Sequence, residues 1–243
     1  VEAPVYDVGG DQGNSDFTDE ALYDNPLLMK GLVSGQRPTD DVTYDVGHTD
    51  DVTYYEVSPE GELVREEWFK VPYYCMMHDF AITPDYLVLH IVPSIGSWEQ
   101  LEEGKPAFMF DTTKPVYLGI IPRREGLKDE DIRWFKRDNC FASHTMNAWQ
   151  DGTKIHFVTP ESKNNFFPFF PDIHGAPFNP QESVTHLTEW VVDLASNGDD
   201  FAEINRLSDT FSKFPRIDDR FTGRRNRYTW GLEIDMARPL NLP

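Results

Sequence analysis

Apolar and polar positions alternate with a period of two through much of the chain after about residue 49, which is the signature of half-buried strands. In Tyr54–Phe69 (YYEVSPEGELVREEWF) two alternating runs flank the turn formers Ser58–Gly61, a hairpin pattern. Asp85–Pro93 (DYLVLHIVP) and Val116–Pro122 (VYLGIIP) are nearly continuous apolar runs of strand length, as expected of strands covered on both faces. Thr153–Thr159 (TKIHFVT) alternates after the turn Asp151–Gly152, and Thr185–Leu194 (THLTEWVVDL) alternates again. The best helical candidate is the short stretch Asp200–Leu207. Many short strands separated by Pro, Gly and Asp turns predict an all-β fold: sandwich, barrel or propeller. The pentapeptide DDVTY occurs twice, at Asp40–Tyr44 and Asp50–Tyr54, and predicts two short strands. Its ten-residue spacing is too short for a propeller blade, so chance similarity is as good a source as a repeat. Before residue 49 the pattern lapses into Gly, Asp and Asn with scattered apolar residues, and residues 1–48 are expected to be an irregular acidic N-terminal segment.

The chain has 243 residues, enough for one large domain, with 39% hydrophobic and 14% aromatic content. Its 22 basic and 42 acidic residues leave a net charge of −20, a field that repels phosphate backbones, so nucleic acid is not an expected partner. Residues 1–60 carry 14 of the acidic and 2 of the basic residues, which makes that quarter the least suited to a core. Two cysteines, Cys75 and Cys140, are too few for a disulfide framework and fit a reducing compartment. With neither a leader pattern nor a run of about 18 apolar residues, the expectation is a cytoplasmic protein without a membrane span.

Seven histidines are present, at 48, 78, 90, 144, 156, 174 and 186, and an isolated strand histidine is ordinarily a hydrogen-bonded or surface residue. Context singles out two. His78 stands in MMHDFAIT (Met76–Thr83), ahead of a turn and a strand, and His144 in CFASHTMNAWQDG (Cys140–Gly152), before the turn of the next hairpin. Strand starts on separate sheets can bring imidazoles together at one axis. A Cys2His2 zinc site from Cys75, His78, Cys140 and His144 is the rival reading. Residues three apart in a strand face opposite sides, however, and 65 residues separate the cysteines, so small buried hydrophobes describe both better. The chain has no GxSxG, no HExxH and no phosphate-cradling glycine turn. Ser143 beside His144 does not make a nucleophile and base, because strand neighbours point apart.

On these residues the chain resembles the carotenoid cleavage oxygenases over about Thr49–Leu232. MMHDFAIT, CFASHTMNAW and FPRIDDRFTGRRNRYTW (Phe214–Trp230) are similar to three of that family's segments, in the same order. WFKVPYYCMMHDFAIT (Trp68–Thr83) and NNFFPFFPD (Asn164–Asp172) look most like the stilbene-cleaving branch. The resemblance implies antiparallel blades of a seven-bladed β-propeller, here incomplete, over residues 49–243. It also implies Fe(II) held by four histidines, of which His78 and His144 match two, with O2 as co-substrate and a small apolar conjugated alkene cleaved to two carbonyls. All-imidazole ligation suits Fe(II) and leaves it Lewis acidic.

Three departures qualify that expectation. His48 is the one histidine upstream, and its setting does not match the family's first ligand. The family's fourth ligand would fall beyond Pro243. Lys213 stands where the family usually places a Glu that accepts from a ligand histidine, and loss of such an acceptor typically costs about 10–100-fold in affinity or activity. The alternative function is therefore a non-catalytic, propeller-derived binding or interaction module, with self-association through open sheet edges. Arg216, Asp218, Asp219 and Arg220 fit a salt-bridged turn as well as a site-supporting role. Phe166, Phe167, Phe169 and Phe170 fit a blade cap better than a substrate entrance. Trp149, beside Asn147, fits packing better than catalysis.

Overall fold

The computed structural model describes residues 30–34, 50–142, 144–210 and 212–233, with only the backbone at 30–34, Trp98 and Glu233. The first DDVTY copy, His48 and Ser143 lie outside the described residues. Along the chain run β1 (Lys30–Ser34), β2 (Asp51–Val57), β3 (Leu63–Lys70), β4 (Ala81–Ile82), β5 (Tyr86–Ile91), β6 (Ser94–Ile95) and helix α1 (Trp98–Glu102). Then follow β7 (Met109–Phe110), β8 (Val116–Pro122), β9 (Arg133–Arg137), β10 (Phe141–Ala142), β11 (Asn147–Asp151) and β12 (Lys154–Ser162). The last are β13 (His186–Asp193), β14 (Glu203–Arg206), β15 (Ser212–Arg216) and β16 (Trp230–Glu233).

Every sheet is antiparallel: β1-β2-β3; β4-β5-β8-β9; β12-β13-β14 with β10 and β11 both paired to β12; and the ribbons β6-β7 and β15-β16. The larger sheets are up-and-down meanders packed face to face, the arrangement of neighbouring propeller blades. The second sheet is the middle layer. Its Val88, Val116, Leu118, Ile120 and Phe135 pack with Ala148, Ile155, Phe157 and Trp190 of the third sheet. Its Leu87, Leu89, Ile91 and Ile121 pack with Val52, Tyr54 and Phe69 of the first. Successive residues of β5 thus enter different cores, which is why that segment reads as nearly continuous apolar rather than alternating.

Polar straps cross between the layers. Arg123 pairs with Glu56 at 2.9 Å and donates to the carbonyl of Thr83 at 2.8 Å, joining the first two sheets. Arg137 forks onto Glu161 at 2.7 and 3.1 Å, joining the second and third.

Three local expectations differ from the structure. Asp200–Leu207 is not a helix: it contains β14, whose Ile204 faces Trp190 in register, so strand pairing overrides a weak helical pattern. Among the described residues the α-helix is α1, begun by Ser97, whose Oγ accepts from the amide of Gln100 at 3.1 Å. Within residues 1–48, read as irregular, Lys30–Ser34 forms a strand because β2 offers it a full antiparallel register.

Gly119 of β8 lies opposite Trp134 of β9, and a Cβ there would sit 2.4 Å from the indole. The indole is itself braced edge-on against Tyr117. Gly119→Ala should therefore destabilise the chain by about 1–3 kcal/mol, read as a lower urea midpoint, while Gly126→Ala, at an open turn, should act through its backbone angle alone.

Candidate metal centre

The inner strand of the third sheet is split. β10 and β11 pair with opposite ends of β12, and residues 144–146 between them lie outside both strands. His144 lies in that gap, where its carbonyl accepts from Thr159 Oγ1 at 2.6 Å, and the amide of Met146 returns to the carbonyl of Val158 at 2.7 Å. On the second sheet the corresponding inner strand is β4, and His78 precedes it by three residues. Asp79 joins the two segments: one carboxylate oxygen accepts from the Thr145 amide at 2.7 Å, the other from the Phe80 amide at 2.8 Å. Thr145 Oγ1 donates to the carbonyl of Phe80 at 3.3 Å.

This stitching sets the rings of His78 and His144 edge to face, with centroids 4.9 Å apart and planes at 65°. His78 is exposed and His144 half-buried. Burial, then the positive charge of Lys213, pushes the His144 imidazole down to about 4, with His78 and Arg216 adding to the effect. At neutral pH it is uncharged and keeps a lone pair, the form in which imidazole binds a metal. Two imidazoles side by side are a nitrogen donor set of the kind that suits a borderline metal such as Fe(II). Among the described residues no group of three or more His, Cys, Asp or Glu side chains gathers to hold an ion.

The other described histidines have separate surroundings. His90 is buried against Phe157, His156 stacks on Trp149 at 5.0 Å and meets Glu189 at 3.0 Å, and His174 meets Asp111 at 3.2 Å. His186 borders a cavity of about 540 Å³ with Arg137, Cys140, Glu161 and Arg206, which neither His78 nor His144 touches. The cysteines are free and lie in different cores, Cys140 in one and Cys75 in the other. Burial raises both thiols, Cys75 to about 12, so neither is a ready thiolate and the zinc reading fails.

Lys213 is 4% exposed, and its Nζ has no hydrogen-bond partner among the described residues. It lies 3.5 Å from the centre of the Phe166 ring and 5.5 Å from that of Phe167, and burial lowers its ammonium to about 8. The β15-β16 register shifts between Lys213 and Arg216, and Phe214 within that bulge has φ +48°. Only a few per cent of non-glycine residues adopt this left-handed backbone. Lys213, the last residue in register before the shift, faces inward by ordinary strand alternation, and the Phe214 ring lies 5.0 Å from His144. Phe167 and Phe170 pack on Phe141 and Phe108, as a cap would, whereas Phe169 is exposed. Asp218 and Arg220 pair at 2.9 Å in a turn whose start Asp218 caps.

Asn147 carries a role that the sequence reading does not assign. Its buried amide donates to the carbonyls of Phe221 and Arg224 and to Asn226, and its carbonyl accepts from Gly223, clamping the 221–226 loop to β11. A polar residue at an inward strand position was the available signal for that role.

A stack of antiparallel blades with paired imidazoles at adjoining inner strands defines a propeller protein with a candidate metal-binding edge. The profile of the retinal pigment epithelial membrane protein family matches residues 41–241, and the chain belongs to that family. It is 52% identical over 188 residues to the lignostilbene-alpha,beta-dioxygenase isozyme III of Sphingomonas paucimobilis, covering 77% of this chain and 38% of that protein. It is 31% identical over 232 residues to carotenoid cleavage oxygenase 1 of Neurospora crassa, covering 95% of this chain and 43% of that one. The crystal structure of Pseudomonas brassicacearum lignostilbene dioxygenase superposes with a TM-score of 0.75 at 35% identity, over 82% of this chain and 41% of that chain. The chain thus spans about two fifths of these relatives and carries part of their propeller. Among the described residues no helix is long and apolar enough to cross a membrane.

The Lys213 shift from 10.5 to about 8 corresponds to about 3 kcal/mol of charging cost at neutral pH. A desolvated contact with Phe166 offsets about 1–2 kcal/mol of it. Lys213→Met should therefore stabilise the chain by about 1–2 kcal/mol at pH 7. Because the folded-state value is depressed, the cost is complete below about pH 8 and is relieved as pH rises toward 10.5. Urea unfolding at pH 7 and pH 10 should show the gap between variant and parent closing at the higher pH.

Proposed function

We propose that this chain supplies two of the iron-binding imidazoles, His78 and His144, of a non-haem Fe(II) oxygenase. The whole protein would cleave the C=C bond of a small, apolar, conjugated alkene of stilbene type into two carbonyl products. The observation that carries this reading is the 4.9 Å pairing of two rings from separate blades, one of them held neutral by its surroundings. The dioxygenase and oxygenase names of the relatives support the reaction class, and the 52% identity favours the stilbene-cleaving branch.

Bound iron would supply O2 activation beside an electron-rich double bond. The chain's own residues prepare the edge on which that happens. Thr159 and Asp79 hold the backbones beside the two histidines, and Phe214 covers one side of the His144 ring. Lys213 opposes the same chemistry, because a buried ammonium near His144 disfavours a second positive charge.

That ammonium, together with a donor set of two, favours a second reading for the 243 residues by themselves: a propeller-derived interaction module. Exposed Phe214, Tyr228, Trp230 and Leu232 on and beside β15-β16 support association through that edge.

Anaerobic Fe(II) titration of the chain separates these readings. Metal should bind weakly at one site and be lost on desalting, and His78→Ala or His144→Ala should each weaken it at least about tenfold. Lys213→Glu should strengthen it by about tenfold or more. Binding unchanged in both alanine variants would reject the site. The 243-residue chain should yield no appreciable aldehyde from a hydroxystilbene with Fe(II) and O2; O2-dependent aldehyde abolished by His78→Ala would show that other groups complete the centre.

A further inference from the structure

We infer that Asp79 is a positioning residue for the His78–His144 pair: its carboxylate fixes the separation of the two imidazoles without itself binding the ion. The inference rests on reading those histidines as metal ligands. Asp79 follows His78 by one residue, and the amide it captures belongs to Thr145, which follows His144 by one residue. A single hydrogen bond of 2.7 Å therefore joins the two backbones one step from each ligand.

Among the described residues no sheet ladder does this. β4 belongs to the second sheet and β10 and β11 to the third, so the histidines are carried beside separately hydrogen-bonded sheets. His144 is anchored to its own layer through Thr159, and the segment before His78 is anchored through the Met76 amide to the carbonyl of Ser94 at 2.8 Å. Asp79 links these two anchored pieces, with the weaker 3.3 Å contact of Thr145 Oγ1 to Phe80 in parallel. An ionised acceptor makes such a bond roughly twice as strong as a neutral one, and ligand geometry must be held to within about 0.5 Å to be productive.

Chemistry also argues against Asp79 as a third ligand. Each of its oxygens accepts a backbone N–H, at 2.7 and 2.8 Å, so the carboxylate is oriented by the backbone on both sides. Nor does Asp79 form a metal-holding trio with the histidines.

The test compares the parent chain with Asp79→Ala, Asp79→Asn and His78→Ala. Two measurements are made: Co(II) titration followed by its visible spectrum, and the nuclear Overhauser contact between the His78 and His144 ring protons in metal-free, histidine-labelled protein. The parent should show the ring-to-ring contact. Asp79→Ala should lose it and bind Co(II) at least about tenfold more weakly, with its far-UV circular dichroism and cooperative unfolding kept. Asp79→Asn retains one acceptor and should fall between, and it decides the matter if Asp79→Ala does not fold. A ring contact and Co(II) affinity equal to the parent in these variants would overturn the proposal. If the parent binds Co(II) no better than His78→Ala, the ligand reading has failed, while the ring contact still decides what Asp79 does.

Discussion

Burial of both faces of the β4-β5-β8-β9 sheet is the constraint on which the rest of this molecule depends. Leu87, Leu89 and Ile91 enter one core while Val88 enters the other, so the sheet is stable only with a blade on each side. Covering two faces with antiparallel meanders stacks the blades radially and brings their inner strands side by side. Because those strands are short or broken, at β4 and between β10 and β11, the residues around them are free of the ladder and can point side chains at a common edge. Position near an axis is thus a by-product of how apolar area is removed from water.

At that edge, polar economy and metal chemistry pull in different directions. The Thr159, Asp79 and Thr145 bonds satisfy backbone groups that the broken strand leaves unpaired, and in doing so they orient both imidazoles. Among the described residues Lys213 has no such partner. Its ammonium is tolerated because Phe166 offers a π face at 3.5 Å, yet the same charge lowers the affinity of His144 for a proton and, by the same electrostatics, for a cation. Adjacent residues of β15 thus supply both an unfavourable buried charge, at Lys213, and an apolar ring beside His144, at Phe214. Conflict of this kind between local stability and a site's chemistry is a familiar mark of functional edges.

Much was legible in the amino-acid order. Strand positions followed from the period-two pattern and from turn residues, because burial on one or two faces writes itself directly into hydrophobicity. The all-β class, the family, and His78 and His144 as the notable histidines came from contiguous words such as MMHDFAIT and CFASHTMNAW. Asp200–Leu207 was misjudged because its fate depended on β13, a partner distant in sequence, and α1 was overlooked although Ser97 and Gln100 carried a capping signal.

What the sequence determined by itself was therefore local: element type, turn chemistry, the charge that disfavours nucleic acid, and the family-like segments in which His78 and His144 stand. Tertiary structure alone decided what depends on separation in space. It brought the two rings to 4.9 Å, placed Cys75 and Cys140 in different cores, and gave Asn147 and Asp79 their tethering roles. It also buried Lys213 against Phe166. The Asp79 and Asn147 tethers join residues 66 and 79 positions apart, and no pattern within a window of a dozen residues encodes such pairings.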